Sequence, residues 1–289
     1  MNKSVLIGCL QFLKFTGSEM YVLELAKQLK LLNYDVDIAA ARIGEPLISI
    51  AKQYGIDCYN LEQLPPKTYD IMHCQHTPVV DFLTRNYPAV PKVSTIHSEI
   101  IPLEYPVKHS SIKKYIAIRP EIKDFIITKF NINKDDIEVI YNPVDETKFT
   151  FKETKKHNSV LFVGTLDYLR KETIFDLIEY TKQNDKHLWL IGHDHGDFVY
   201  ELTRHEHVFY QDASSDVEKY VQRCDETAGI LLGRTTIEGW MCNKPGWIYN
   251  VDDRGKILNK QLHQPPQDVS KFYASNVAKQ IKAIYENIA

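Results

Sequence analysis

The chain is poor in paired cysteines, in long apolar runs and in surplus positive charge, and each shortage excludes a class of protein. Its five cysteines, Cys9, Cys58, Cys74, Cys224 and Cys242, are scattered without a paired spacing. That argues against a disulfide framework or a zinc ribbon and suits a reducing compartment, so the expected location is the cytoplasm. No apolar run approaches the roughly 20 residues of a membrane span. Leu6-Ile7-Gly8-Cys9 matches a lipoprotein cleavage box, but only five residues separate its Cys9 from Lys3, short of the roughly 7–15 apolar residues of a signal peptide. A formal net charge of -3 argues against affinity built on neutralising many phosphates of a nucleic acid. A local basic patch over Lys152–Lys156 with Lys113-Lys114 stays open beside the plainer reading of solvated surface.

Two motifs are missing as well. The first apolar run lacks Gly-x-Gly-x-x-Gly and has no well-placed acidic ribose partner, which argues against an ordinary dinucleotide enzyme. No Asp-x-Asp pair stands out as a seat for a divalent cation, and the expectation is no metal and no cofactor. His73-Cys74-Gln75-His76 and His193-Asp194-His195 hold metal-ligand residue types. On a strand, however, His73 and Cys74 point to opposite faces and do not share one ion.

What is present is a globular composition, 44% hydrophobic and 25% charged over 289 residues, enough for two small cores. Apolar runs at Ser4–Leu10, Val36–Ala40, Asp70–Cys74, Lys92–Ile96, Tyr115–Ile118 and Glu138–Tyr141 suit buried parallel strands. Between the first two, Val22, Leu25, Ala26, Leu29 and Leu32 share one face of a helix that follows Ser18 as its cap. The rhythm lapses over the lysine-rich stretch 145–158 and restarts at Ser159–Val163, Leu188–Ile191, Val208–Tyr210, Ala228–Leu232 and Pro245–Tyr249. The expected fold is α/β, with two Rossmann-like doubly wound domains facing a cleft. The expected limits are 1–150, 151–267 and a C-terminal helix over 268–289 that packs back on the first domain, with Phe272, Val277, Ile281, Ile284 and Tyr285 on its apolar face.

Candidate chemistry gathers at the strand ends. Gly233-Arg234-Thr235-Thr236-Ile237-Glu238 follows a strand and opens a helix. Such a turn presents unpaired N–H groups to an anion such as a diphosphate, Arg234 can grip that anion, and Glu238 can accept from vicinal sugar hydroxyls. The alternative is a plain strand-to-helix turn with a surface glutamate. Val163-Gly164-Thr165-Leu166, with Arg170-Lys171 beyond it, forms a second cradle, and Gly192 ends a third strand. In the first half, Gly17-Ser18-Glu19, His97, Arg119 and Asn142 end strands along one edge. His97 is a candidate hydrogen-bond donor or proton shuttle to a sugar hydroxyl, beside a structural reading.

Taken together these segments resemble the GT-B glycosyltransferases, specifically the retaining family 4. Thr16-Gly17-Ser18-Glu19 with Leu25-Ala26-Lys27-Gln28-Leu29 is similar to the family's Gly-Gly-x-Glu opening and its Leu-Ala-x-x-Leu helix. Tyr69–His73, Thr95-Ile96-His97 and Ile137–Asp145 resemble further landmarks, in order. Leu161–Leu166 resembles the Val-Gly-Arg-Leu segment, Leu190-Ile191-Gly192 the strand after it, and Ile237–Pro245 the Leu-Glu-Ala-Met-Ala-Cys-Gly-x-Pro segment.

The resemblance implies transfer of a sugar from a nucleoside diphosphate, UDP or GDP, to a glycan, lipid-linked or small-molecule acceptor, with retention and without a metal. It implies that the donor lies mainly on the C-terminal half, held through Gly164, Thr165, Gly192, Tyr210, Gln211, Gly233, Arg234, Thr235 and Thr236, with Gly17 added from the N-terminal half. Glu238 would bind the ribose, Arg170 or Lys171 the diphosphate, and Phe209–Asp212 the base. His97 would lie near the reacting sugar, with Ser18, Glu19, Arg119 and Asn142 on the acceptor side. Three positions depart from the family pattern: Ile230 replaces a second glutamate, Thr165 an arginine and Arg119 a serine. Ile230 and Thr165 motivate one alternative, a catalytically silent relative; another keeps the enzyme class but takes a modified DNA base as acceptor, and the acidic balance argues against it.

Overall fold

The computed structural model describes residues 2–153, 157–196 and 198–288. Lys155 and Lys156 of the candidate basic patch lie outside them. The chain forms two compact units. The first comprises residues 1–14, 18–143 and 274–289, the second 15–17 and 144–273.

The first unit holds a seven-stranded sheet of order β3-β2-β1-β4-β5-β6-β7. Its strands are β1 (Ser4–Phe12), β2 (Asp35–Ile43), β3 (Asp57–Asn60), β4 (Ile71–Gln75), β5 (Lys92–Ile96), β6 (Ile112–Ala117) and β7 (Ile137–Val139). All of its pairings are parallel. Its helices are α1 (Gly17–Leu31), α2 (Leu47–Gln53), α3 (Thr77–Asn86) and α4 (Pro120–Phe130). Val22, Leu25, Ala26 and Leu29 of α1 are fully buried, and burial of each of the valine and leucine side chains contributes about 1.5–3 kcal/mol.

In the second unit the order is β10-β9-β8-β11-β12-β13. These strands are β8 (Ser159–Val163), β9 (His187–Ile191), β10 (Val208–Gln211), β11 (Glu226–Ile230), β12 (Gly246–Val251) and β13 (Ile257–His263). Only β13 runs antiparallel. The helices are α5 (Tyr168–Gln183), α6 (Val199–Leu202), α7 (Val217–Arg223) and α8 (Arg234–Met241). The C-terminal segment is broken at Tyr273 into a 3-10 turn, Ser270–Phe272, in the second unit and α9 (Ala274–Ile288) in the first. Phe272 packs against Trp240, so it does not share the face of Val277, Ile281 and Tyr285 expected from the sequence.

Both sheets are doubly wound, and strand order reverses between β1 and β4 in one and between β8 and β11 in the other. Loops diverge above and below the sheet at such a point, which leaves a crevice at the carboxyl ends of the strands. The loops that carry the candidate residues leave the sheets at these two points and their neighbours. Among the described residues no helix is long and apolar enough to cross a membrane.

Candidate active site

In the second unit the β8 and β9 ends almost touch. Gly164 N–H donates to Ile191 O at 2.9 Å, and a Cβ on Gly192 would lie 1.8 Å from Gly164 O. Gly192 also has a φ of +155°, so glycine is required there twice over. Tyr210 Oη donates to Gly192 O at 3.0 Å, and Gly192 N–H to Gln211 O at 3.1 Å, tying in the end of β10. Gln211 itself is exposed and Thr165 half-buried in the turn after β8.

Helix α5 starts beside Gly164. Asp167 caps it, accepting from Arg170 N–H at 3.2 Å and ion-pairing with the Arg170 guanidinium. That guanidinium lies against Gly164, where a Cβ would be 3.7 Å from Arg170 Nε. Lys171 turns the other way, 3.6 Å from Glu201 on α6 and over the rings of Phe175 and Phe198. The two adjacent cations, equivalent by sequence, are thus distinguished by where they point.

After β11 the backbone does something the sequence did not signal. Leu231 has φ +57°, a left-handed conformation that costs a bulky residue about 1–3 kcal/mol and clusters at functional sites. It bends the chain into Gly233, the cap of α8. Thr235 Oγ1 donates to Val163 O at 2.9 Å and so ties the start of α8 to the end of β8. Thr236 by contrast is fully buried, packed toward Gly229 and Gly246, with its side chain directed into the core. Arg234 Nε donates to Glu238 Oε1 at 2.6 Å, and both are largely buried. The glutamate singled out for sugar hydroxyls therefore already holds a charge-assisted bond one turn back along its own helix. Next to Gly192, His193 Nδ1 lies 3.0 Å from Asp212. The half-buried Ile230 stands at the family's second glutamate position.

In the first unit Gly17-Ser18-Glu19 opens α1 and does not end a strand, because β1 stops at Phe12. Ser18 is therefore inside the first turn and is not its cap. Glu19 is buried and accepts from Leu13 N–H at 3.4 Å. Gln75, at the end of β4, donates from Nε2 to Ser18 O at 3.2 Å, and its Oε1 meets His97 Nε2 at 2.5 Å. The His97 ring lies edge-on to Tyr21, 4.9 Å between centroids, and stacks on His76 at 6.2 Å. Burial, with His76, His73 and Arg119 nearby, holds the His97 pKa well below the ordinary histidine value, so the ring is neutral at pH 7.

His76 has φ +67°. It is held at both ring nitrogens: Leu10 N–H donates to Nδ1 at 3.3 Å, and Nε2 lies 3.3 Å from Glu104 Oε1. Glu104 also accepts from His97 N–H at 3.3 Å, and burial raises its pKa to about 7. Arg119 is buried and ion-paired to Glu99, while Asn142 is buried beyond the end of β7. On the β1–β3 side of the same edge, Leu10, Ala41, Asn60, Leu61, Pro78, Val79 and Phe82 line a cavity of about 240 Å³.

Beneath this edge His73 is fully spoken for. Nδ1 meets Tyr285 Oη and Nε2 meets Thr95 Oγ1, both at 2.6 Å, and Thr95 Oγ1 lies 3.2 Å from Tyr21 Oη. Among the described residues no group of three or more His, Cys, Asp or Glu is arranged to hold a metal ion.

Comparison with known proteins gives this geometry a family setting. Residues 15–148 match the family described as Glycosyltransferase Family 4. A glycosyltransferase of Rickettsia africae ESF-5 superposes with a TM-score of 0.69 at 15% identity, over 99% of this chain and 98% of that one. The chain is a GT-B protein similar to the family 4 glycosyltransferases. Anabaena HepE, solved with UDP-glucose, shares the GT-B architecture with a TM-score of 0.72 at 18% identity, over 99% and 98% of the two chains. An alpha-glucosyltransferase solved with UDP and a 13-mer DNA containing an HMU base aligns at 0.58 and 10% identity, over 99% and 91%. No curated relative matches the chain.

Sequence reasoning missed Asp167, Gln75 and Leu231. Asp167 was visible as an aspartate three residues before Arg170, the spacing of a helix cap. Gln75 stood inside a run weighed for metal binding, and Leu231 carried no signal in its residue type.

Proposed function

We propose that the protein transfers a sugar from a nucleoside diphosphate to an acceptor hydroxyl, with retention and without a metal, and that the second unit binds the donor. The observation that carries this reading is the convergence on one strand edge of the Gly164–Gly192 close approach, the Arg170 guanidinium and the N-terminus of α8 behind Leu231–Gly233. Backbone N–H groups and cations fixed in place stabilise the charge that builds on a departing diphosphate. Arg170 is the phosphate clamp in this reading, because Lys171 is turned toward Glu201. Glu238 offers a carboxylate to the ribose, Tyr210 and Gln211 border the base, and UDP-glucose is the first donor to test, by analogy with HepE.

On the first unit, His97 faces the transferring sugar, with Ser18, Glu19, Arg119 and Asn142 around the acceptor. Glu19, Arg119 and Asn142 are buried, so they shape the site from behind.

The test is a thermal-shift panel of UDP, GDP, ADP, CDP and their sugars, since a ligand that binds only the native state raises its stability. One nucleotide should raise the midpoint, and Glu238→Ala and Arg170→Ala should abolish the rise while Lys171→Ala keeps most of it. An undiminished rise in Glu238→Ala would refute the site. Ile230 and Thr165 favour a second reading, a silent relative that binds nucleotide without transfer; slow hydrolysis of a bound donor excludes it. The DNA-bound relative invites a third, action on a modified base, which requires a salt-sensitive DNA complex.

A further inference from the structure

The chain of contacts Ser18–Gln75–His97 has only one consistent proton arrangement. A backbone carbonyl accepts and never donates, so the group 3.2 Å from Ser18 O is the NH₂ end of the Gln75 amide. The other end, facing His97 Nε2 at 2.5 Å, is therefore the oxygen, which also only accepts. The proton must lie on Nε2. In a neutral ring this leaves Nδ1 as a lone pair. Among the described residues no other contact of the ring makes this choice. The Tyr21 edge and the His76 face fix its plane but not its tautomer, and Glu104 holds the backbone N–H of His97 and not the ring.

We propose that Gln75 is a positioning residue which locks His97 as the Nε2–H tautomer and thereby makes Nδ1 a hydrogen-bond acceptor for a substrate hydroxyl. This rests on the reading of His97 as the histidine beside the transferring sugar, and it reverses the donor role first considered for that ring. It also gives the first turn of α1 a part in the chemistry, since Ser18 O fixes the amide that fixes the histidine.

The test is a long-range 1H–15N spectrum of the full-length protein, with the His97 ring assigned through His97→Gln. Wild type should show a pyrrole-type Nε2 and a pyridine-type Nδ1. Gln75→Leu, which removes the oxygen acceptor, should lose that pattern. Turnover of UDP-glucose in Gln75→Leu should fall at least tenfold, with Kd for UDP within about twofold, because in this reading His97 meets the sugar and not the nucleotide. An Nδ1–H tautomer in wild type, an unchanged tautomer in Gln75→Leu, or an altered tautomer with unchanged turnover would each overturn the proposal. Absence of UDP-glucose binding and turnover in wild type would overturn the transferase reading instead, with the spectra still deciding the tautomer.

Discussion

Acidification should unfold the first unit through His73, by an amount that follows from its burial. The ring is 1% exposed, and desolvation lowers its pKa from 6.5 to about 3. Because the folded value lies below the unfolded one, the unfolded chain binds the proton first as pH falls. The stabilising contribution is complete above about 6.5 and is lost progressively between 6.5 and about 3. Each pH unit in that window costs about 1.4 kcal/mol, so moving from pH 7 to pH 5 should remove about 2 kcal/mol through this residue alone. His76 acts in the same direction, and Glu104, with a raised pKa, acts in the opposite one. A difference measurement isolates His73: urea unfolding of wild type and His73→Gln at pH 7 and pH 5. The probe must report the first unit, and indole fluorescence does not, because Trp189, Trp240 and Trp247 all lie in the second. Amide hydrogen exchange of β4 is suitable. Wild type should lose about 2 kcal/mol more than the variant between the two pH values. Parallel losses would refute the argument that burial keeps this ring uncharged.

Tyr285→Phe removes the partner of His73 Nδ1 and leaves a buried ring nitrogen unsatisfied, so exchange protection in β4 and α9 should fall by about 1–3 kcal/mol. Asp167→Asn keeps an acceptor for Arg170 N–H but removes the charge paired with the guanidinium. The pair is partly exposed and therefore worth about 0.2–1 kcal/mol, so UDP should bind up to about fivefold tighter by calorimetry. Gly192→Ala places a methyl against Gly164 O, so the second unit should lose about 1–3 kcal/mol by indole fluorescence and no longer respond to UDP.

The sequence disclosed the strands buried on both faces and hid two edge strands. Lys92–Ile96 and Ser159–Val163 were legible to the residue, since each is a short apolar run inside a parallel sheet. β3 has the sequence Asp57-Cys58-Tyr59-Asn60 and sits on a sheet edge, where half-exposed positions carry no continuous apolar signal. β13 is an edge too and largely exposed, and its antiparallel direction breaks the βαβ rhythm. In the site, Gly164, Gly192 and Gly233 were legible because a close approach or a turn into a helix demands particular residues there. The Gln75–His97 contact was not, because it arises from the pairing of β4 with β5, in which Gln75 stands opposite Thr95. Leu231 was hidden for the opposite reason, since nothing in a leucine announces a positive φ.

The pairs Arg170–Asp167 and Arg234–Glu238 bear on what the second unit must do to hold a donor. Both arginines stand at helix starts, where the peptide dipoles already disfavour a further positive charge. A half-buried guanidinium there also needs an anionic partner to offset its desolvation, and each finds one within a turn of its own helix. A diphosphate arriving at this edge would therefore exchange one anion for another at cations already ordered in place. The net electrostatic gain of such an exchange is small, but almost no side-chain entropy is lost in making it. The same exchange would release Glu238 from Arg234 as phosphate takes its place, making the carboxylate available to ribose hydroxyls when the donor binds. In the proposed reading, Ile230 in place of a glutamate would weaken the hold on the sugar alone, because the nucleotide half of the donor would be gripped by Arg170, Arg234 and Glu238.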